Sequence, residues 1–352
     1  MIFSVGCGNK YPDDPLKFFE PSEEISGQVV VLDGALHGVP GWSVEYDHPI
    51  MVVVETRYLN DKKFFVIDLE QKTVKKVVNH GRGDCEFNNV FLNSLDHKAG
   101  YFTFFDNDKK ANYKVLLDSI SSHDNTYTYC PEKIILQGEK QNPTRFFDLR
   151  AIDERYTLGY LNETSDSMYT VFDLKDGTSY DKYAFPRLKG LSKKEMEVGR
   201  RLFWGYTHVS PDKEKIALIA QPTLVELMGW KDGQLTRKKR IEFFRYRFNL
   251  DYEGNRISRR GFHNKEGFLL GDVTDNFVYV GYCGYTEEEM AKMGVYPSAF
   301  YVLVFDWEGN PVKSYSLDRT IIALVAKEDD SGMYGISIGA ESIDVVEYDF
   351  NH

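Results

Sequence analysis

One pattern recurs along this chain and limits what it can become: an apolar strand, a loop, a second apolar strand, then a tight turn of Asp, Gly, Asn and Lys, often followed by a third strand. Six such units begin at Val52, Tyr101, Tyr156, Lys215, Phe277 and Gly332, at intervals of 49, 55, 59, 62 and 55 residues, a mean of 56. Self-similarity at a near-fixed period marks a repeat architecture in which each unit buries its faces against its neighbours. The period exceeds the ~40–45 residues of a WD40 blade, and the GH…WD signature is absent.

The turns support this division. Asp68-Leu69-Glu70-Gln71, Asp173-Leu174-Lys175-Asp176-Gly177 and Asp306-Trp307-Glu308-Gly309-Asn310 each follow β-branched and aromatic residues. Asp accepts a hydrogen bond from the backbone two residues on, and Gly tolerates positive φ, so these are hairpin turns. The preceding strands, such as Phe64–Ile67 and Tyr301–Phe305, are apolar without alternation. Strands buried on both faces have that character. The expected fold is all-β, a six-bladed β-propeller spanning residues 22–352. The last unit lacks a strand, whereas Gln28–Leu32 is a strand without a hairpin partner. Pairing this N-terminal strand beside Ile343–Tyr348 closes the last blade and removes an open edge. Two short helical insertions are predicted. Ser192–Leu202 and Thr286–Met293 both carry capping-box spacing, Ser192 with Glu195 and Thr286 with Glu289.

The 352 residues carry 43 basic against 54 acidic groups, a net charge of −11. Such a surface repels phosphate backbones and anionic membranes, so nucleic acid is excluded as a partner. No apolar stretch approaches the ~18 residues a membrane span needs. Aromatic residues make up 14% of the chain, with 23 Tyr and 24 Phe, and favour half-buried pleated surfaces.

The four cysteines, Cys7, Cys85, Cys130 and Cys283, form no CxxC pair, which argues against zinc or thioredoxin-like chemistry. They read as free and mostly buried thiols, with one bridge, for example Cys85–Cys130, as the open alternative. Ser4-Val5-Gly6-Cys7 resembles the end of a lipoprotein signal, with Cys7 the lipidated residue. Met1–Gly6 alone is too short to be such a signal and lacks a basic region. Residues 1–21 are therefore expected to be a signal remnant and tether. The protein would be lipid-anchored in the periplasm or outer membrane if the true start lies upstream, and cytoplasmic if Met1 is the start.

Several segments resemble a known family. HGRGDCEF at His80–Phe87 resembles the GRGPGEF-type segment of the TolB-like six-bladed propellers of bacteria, departing from it at Asp84-Cys85, where the family tends to have Pro-Gly. THVSPDKEKIAL at Thr207–Leu218 is similar to that family's SPDG strand entry, and FDWEGNPVKSYSLD at Phe305–Asp318 and SGMYGIS at Ser331–Ser337 fit it too. The resemblance implies a secreted lipoprotein of unassigned function, and it implies no catalytic residue.

Candidate chemistry is sparse. Gly81-Arg82-Gly83 lacks the Lys and following helix of a phosphate loop and reads as an inter-blade connection, with Arg82 a possible ligand contact. Arg82-Gly83-Asp84 also spells a cell-adhesion tripeptide, a match short enough to arise by chance. Asp106-Asn107-Asp108 lacks the glycine and distal Glu of a calcium loop and reads as a turn. Arg237-Lys238-Lys239-Arg240 reads as a solvated edge with charges alternating across faces. Tyr206, His208, Tyr282 and Tyr285 are placed near inner strands, where aromatic rings offer a stacking surface at the channel mouth; ordinary blade packing is the plain alternative. No HExxH or close His pair exists, so no metal-binding residues and no cofactor are assigned. Two functions remain. One is a cell-envelope propeller binding a small molecule, glycan or envelope protein. The other is a metal-dependent hydrolase or lyase with a cation such as calcium on the axis, for which Glu55, Asn162 and Glu226 are chemically suitable. The binding role is favoured over an enzyme.

Overall fold

A computed structural model describes residues 11–32, 36, 40–55, 61–109, 111–121, 130–134, 148–160, 166–186, 196, 199–250, 257–258, 263–295, 297–338 and 343–350. Cys7 and Asn162 lie outside the described residues. The chain divides into two compact units, Met1–Ile25 with Arg187–Asp318, and Ser26–Pro186 with Arg319–His352. Between them they hold the six sheets of a six-bladed β-propeller.

In chain order, β1 (Glu23–Ile25) and β2 (Gln28–Val30) precede the first blade. Blade 1 comprises β3 (Pro40–Asp47), β4 (Ile50–Glu55), β5 (Lys62–Asp68), β6 (Thr73–His80) and the short parallel β7 (Glu86–Phe87). Blade 2 comprises β8 (Val90–Asp96), β9 (Tyr101–Asp106), β10 (Ala111–Leu116) and, after helix α1 (Leu117–Ser121), β11 (Glu132–Ile134). Blade 3 holds β12 (Asp148–Ala151), β13 (Tyr156–Tyr160), β14 (Ser167–Asp173) and β15 (Thr178–Ala184). Blade 4 holds β16 (Gly205–Val209), β17 (Lys215–Ala220), β18 (Leu224–Lys231) and β19 (Gln234–Glu242), and a small hairpin of β20 (Asn249–Leu250) and β21 (Ile257–Ser258) follows. Blade 5 holds β22 (Phe268–Val273), β23 (Phe277–Tyr282), α2 (Glu287–Met293), β24 (Ala299–Asp306) and β25 (Pro311–Ile321). Blade 6 ends the chain with β26 (Ala323–Ala326), β27 (Gly332–Ile338) and β28 (Ile343–Asp349).

The expected closure is present. β2 pairs antiparallel with β28, in the register Gln28↔Glu347, Val29↔Val346 and Val30↔Val345, and becomes the fourth strand of blade 6. The six unit starts read from the sequence coincide with β4, β9, β13, β17, β23 and β27, each the second strand of its blade. The period is therefore right, but its phase is one strand late. Among the first strands, β8 (VFLNSLD), β12 (DLRA) and β16 (GYTHV) are interrupted by polar residues, which weakens their apolar signal, whereas β22 (FLLGDV) and β26 (ALVA) are apolar.

Burial on both faces explains the unalternating apolar strands. In blade 1, Val52, Val54, Phe64 and Val66 pack towards blade 2, where Phe64 meets Phe102 and Phe104 with ring centroids 5.2 and 5.0 Å apart. Met51, Val53, Phe65 and Ile67 pack towards Ile322, Val325, Ile336 and Val345 of blade 6. The other unit has its own core, in which Ala217, Ile219, Val225 and Leu227 of blade 4 meet Val278, Val280, Leu303 and Phe305 of blade 5. The aspartates do punctuate the turns, with bonds from residues three or four on. Asp68, Asp173 and Asp306 each accept a backbone N–H through Oδ1, from Gln71 (2.8 Å), Asp176 (3.2 Å) and Asn310 (2.7 Å). Asp173 alone of these three also accepts from two on, Lys175 N at 3.1 Å.

α2 carries the expected capping box. Thr286 Oγ1 accepts from Glu289 N at 3.2 Å, and Glu289 Oε2 accepts from Thr286 N at 2.8 Å. Most of the Ser192–Leu202 segment lies outside the described residues, and its described end is a 3-10 turn, Arg200–Phe203. The stretch read as a tether is laid against blades 4 and 5 from residue 11 onward. Asp14 caps a 3-10 turn at Pro15–Phe18, Phe18 packs on Phe243 (5.6 Å), Phe19 packs on Phe305 (5.0 Å), and β1 adds to β25 in parallel.

The cysteine expectation is corrected. Cys85 and Cys130 form a disulfide, tying the blade 1–blade 2 connection to the segment before β11. Only Cys283 is a free thiol among the described residues, and it is buried. The sequence shows no pairing because the two cysteines lie 45 residues apart and are brought together only by the fold.

In the second unit the first strands are joined by charge. Arg150 on β12 reaches past β8 to the Glu45 carboxylate on β3, and its Nη1 also donates to the Asn93 carbonyl at 3.3 Å. The Arg150 side chain is 7% exposed. Removing one member of a buried pair leaves the other charge uncompensated.

Three outcomes are expected. Gly27→Val puts a Cβ into Val346 and the Tyr348 ring, and should cost about 1–3 kcal/mol in chemical denaturation while opening residues 22–32 to limited proteolysis. Arg150→Met should destabilise the protein by about 3 kcal/mol, more than Arg150→Met combined with Glu45→Gln. Burial pushes the Cys283 thiol up to about 11. Peptide mass spectrometry after alkylation near neutral pH should find Cys283 modified only upon unfolding, and Cys85 and Cys130 only upon reduction.

Candidate ligand-binding site

In a propeller the first strand of each blade lies nearest the axis. β26, β3, β8 and β12 are successive neighbours in one unit, and β16 neighbours β22 in the other. Polar and aromatic residues on these strands are the candidates for ligand contact.

β16 has a strict alternation. Gly205 and Thr207 are buried, while Trp204, Tyr206 and His208 are half-buried along the opposite face. Gly205 has no alternative residue here, since a Cβ would overlap the Ile219 carbonyl and Ala220 of β17. That close approach sets the strand against its partner and turns the three rings outward from the blade. Trp204 and Tyr206 meet edge to face with centroids 6.2 Å apart. On the neighbouring β22, Asp272 brings its Oδ1 to 3.8 Å from His208 Nδ1, with side chains 26% and 13% exposed. The result is a stripe of two ring faces ending in an imidazole–carboxylate pair. It can stack against an apolar ligand face and exchange hydrogen bonds at one end.

The five residues expected at the channel mouth fall in four places of the fold. Tyr206 and His208 stand together on β16. Tyr282 belongs to the core and is a correction: it is fully buried among Phe268 and Tyr301, and its hydroxyl reaches Asp14 Oδ1 at 3.5 Å. Burial and the Asp14 charge hold its phenol well above the usual range. The cause of the misplacement is the one-strand phase error, which took β23 for an inner strand. Tyr285 lies at the start of the β23–α2 connection and packs on Phe300 at 4.5 Å. Its hydrogen bond to Tyr301, together with burial, pushes Tyr301 up to about 12. Arg82 lies in the other unit, exposed on the β6–β7 loop. Trp204 and Asp272 were not singled out from the sequence. The WGYTH alternation of rings with small residues was a signal for the first, and Asp272 was a lone acid within an apolar strand.

Of the residues considered for an axial cation, Asn162 lies outside the described residues and the other two do not stand on first strands. Glu55 ends β4 and Glu226 lies in β18, both second or third strands of their blades. Glu226 is fully buried and is held by Arg237 Nη2 (3.0 Å) and Arg240 Nη1 (3.3 Å). This corrects the reading of the basic run as alternating across faces. A bulge at Leu227/Met228 breaks the register of β18 and β19 and brings both arginines to one carboxylate. The Glu55 backbone carbonyl accepts from Lys63 Nζ at 3.0 Å, and burial lowers that lysine's pKa. Asp106 acts as a turn residue, its Oδ1 accepting from Asp108 N and Lys109 N at 2.8 and 2.7 Å. Among the described residues, no group of three or more His, Cys, Asp or Glu could hold a metal ion.

Comparison with solved structures gives a match to a protein of Bacteroides fragilis described as exported, at 8% identity and TM-score 0.59, covering 98% of this chain and 99% of that one. A luciferin-regenerating enzyme matches at 10% identity and TM-score 0.48, over 90% and 92% of the two chains. The β-propeller domain of Cps50 (Swd1) from Myceliophteria thermophila matches at 8% identity and TM-score 0.45, over 92% and 100%. No curated protein matches the sequence. The sequence profile described as TolB-like 6-blade propeller-like matches residues 18–329. With six blades in place and that match spanning five of them entirely, the chain belongs to the TolB-like six-bladed propeller family.

Proposed function

We propose that this protein is an exported binding propeller whose ligand rests on the Trp204–Tyr206–His208 stripe and is oriented by Asp272. The observation that carries this reading is the half-burial of three rings and a carboxylate on two adjacent first strands, where ordinary blade packing would favour apolar contacts. Half-buried aromatic rings with a hydrogen-bonding end suit a glycan or a small molecule with one apolar face. The Cys85–Cys130 bridge supports an oxidising destination such as the cell envelope, because disulfides are rare in reducing cytosol. The Bacteroides fragilis neighbour, described as exported, agrees with that destination.

The test is a thermal-shift screen of oligosaccharides and small metabolites against the intact protein. A ligand present at a hundred times its Kd stabilises the folded state by about 2.7 kcal/mol. That stabilisation should disappear in Trp204→Ala and Asp272→Asn, measured against each variant's own unliganded Tm. A ligand whose effect survives both substitutions would move the site elsewhere. Calcium that stabilises the protein in place of any organic ligand would favour the metal-dependent hydrolase or lyase instead.

A further inference from the structure

The loop between β6 and β7 combines a heavily restrained backbone with an unrestrained tip. Gly81 has φ +149°, and a Cβ there would overlap the Glu86 carboxylate. Gly81 N donates to the Phe87 carbonyl at 3.1 Å, and Glu86 N donates to the Gly83 carbonyl at 3.2 Å. Glu86 Oε2 accepts from Gly83 N at 2.9 Å. Lys109, from the β9–β10 turn, donates to the carbonyls of Gly83 (2.7 Å) and Asp84 (2.8 Å) while its ammonium sits 4.4 Å from the centre of the buried Phe87 ring. The disulfide at Cys85 adds a covalent anchor one residue beyond the tip.

These restraints act on backbone atoms and leave the tip side chains alone. Arg82, Gly83 and Asp84 are all exposed. Among the described residues, Lys109 reaches this loop with its ammonium directed at the carbonyl oxygens of Gly83 and Asp84 and not at the Asp84 carboxylate. Among the described residues, neither the Arg82 guanidinium nor the Asp84 carboxylate has a hydrogen-bond or ion-pair partner. Gly83 keeps the tip narrow, because a Cβ there would press on the Glu86 carboxylate at 3.1 Å. A guanidinium and a carboxylate are thus displayed one glycine apart on a loop whose ordering cost is met before any partner arrives, which is the condition for tight recognition by a short segment.

We propose that residues 82–84 form a protein-recognition element, and that its partner is a receptor with an acidic pocket for the guanidinium and a bound divalent cation whose coordination the Asp84 carboxylate completes. This surface is independent of the Trp204 stripe. A hard divalent cation prefers oxygen ligands and accepts a carboxylate from a second molecule. A forked guanidinium pairs two-pronged with carboxylates.

The probe is the purified ectodomain of a divalent-cation-dependent receptor selected for binding Arg-Gly-Asp peptides, passed over the immobilised intact protein in the presence of Mn2+. Saturable binding is expected, displaced by free Arg-Gly-Asp peptide and abolished by EDTA. Asp84→Glu retains the charge but displaces it by one methylene; it and Arg82→Gln should each weaken binding at least about tenfold at unchanged Tm. The Cys85→Ser/Cys130→Ser variant should also bind more weakly, since it frees the loop. Absence of saturable binding by the wild-type protein, or binding that persists in Asp84→Glu or in EDTA, would overturn the proposal.

Discussion

Three residues near one end of the chain, Gln28–Val30, hydrogen-bond to three near the other, Val345–Glu347, and blade 6 depends on that pairing. Without it β28 would present a bare edge, the open template that all-β proteins must cover. Glycine at position 27 makes the approach possible, because Val346 and Tyr348 occupy the space a side chain would need. Immediately before this strand, the same segment lays β1 along β25 and seats Phe18 and Phe19 against blades 4 and 5. The N-terminal segment therefore supplies outer strands to two blades in succession.

Within that frame, the division of labour between strands is chemical. Second and third strands are buried on both faces and carry the apolar mass, as in Met51–Val54 and Phe64–Ile67. Several first strands carry polar groups, and the two units use them differently. In one, Arg150 joins three strands through the Glu45 carboxylate and the Asn93 backbone carbonyl. In the other, Trp204, Tyr206, His208 and Asp272 are left half-covered. A buried ion pair of the first kind contributes little net stability but is costly to break, which suits a fixed arrangement.

The period, the hairpin turns, the α2 cap and the closing strand were all legible, because each rests on local chemistry: apolar runs, Asp and Gly at turns, Thr286 with Glu289, and an unmatched strand at Gln28. The phase was not. VFLNSLD, DLRA and GYTHV are short and carry polar residues, so they lack the apolar signal by which strands are recognised. Tyr282 was misplaced by the phase of the repeat although the first strand of its blade, FLLGDV, is apolar, while Tyr206 and His208 fell on a true first strand. The Cys85–Cys130 pair and the convergence of Arg237 and Arg240 on Glu226 depend on tertiary approach and on a bulge, and neither leaves a trace in spacing.

The β2–β28 pairing also has a consequence for biogenesis. A ribosome releases β2 among the first elements and β28 among the last. Blade 6 therefore cannot be completed until β28 has been made, and β2 must wait unpaired while the strands between them are synthesised. Contacts so distant in sequence form slowly, and exposed strand edges invite misassembly in the interval. A chain that is threaded unfolded through a translocation pore reaches its destination before this last step. For a chain exported in that way, as proposed above, the pairing of β2 with β28 would be the folding step left until after delivery.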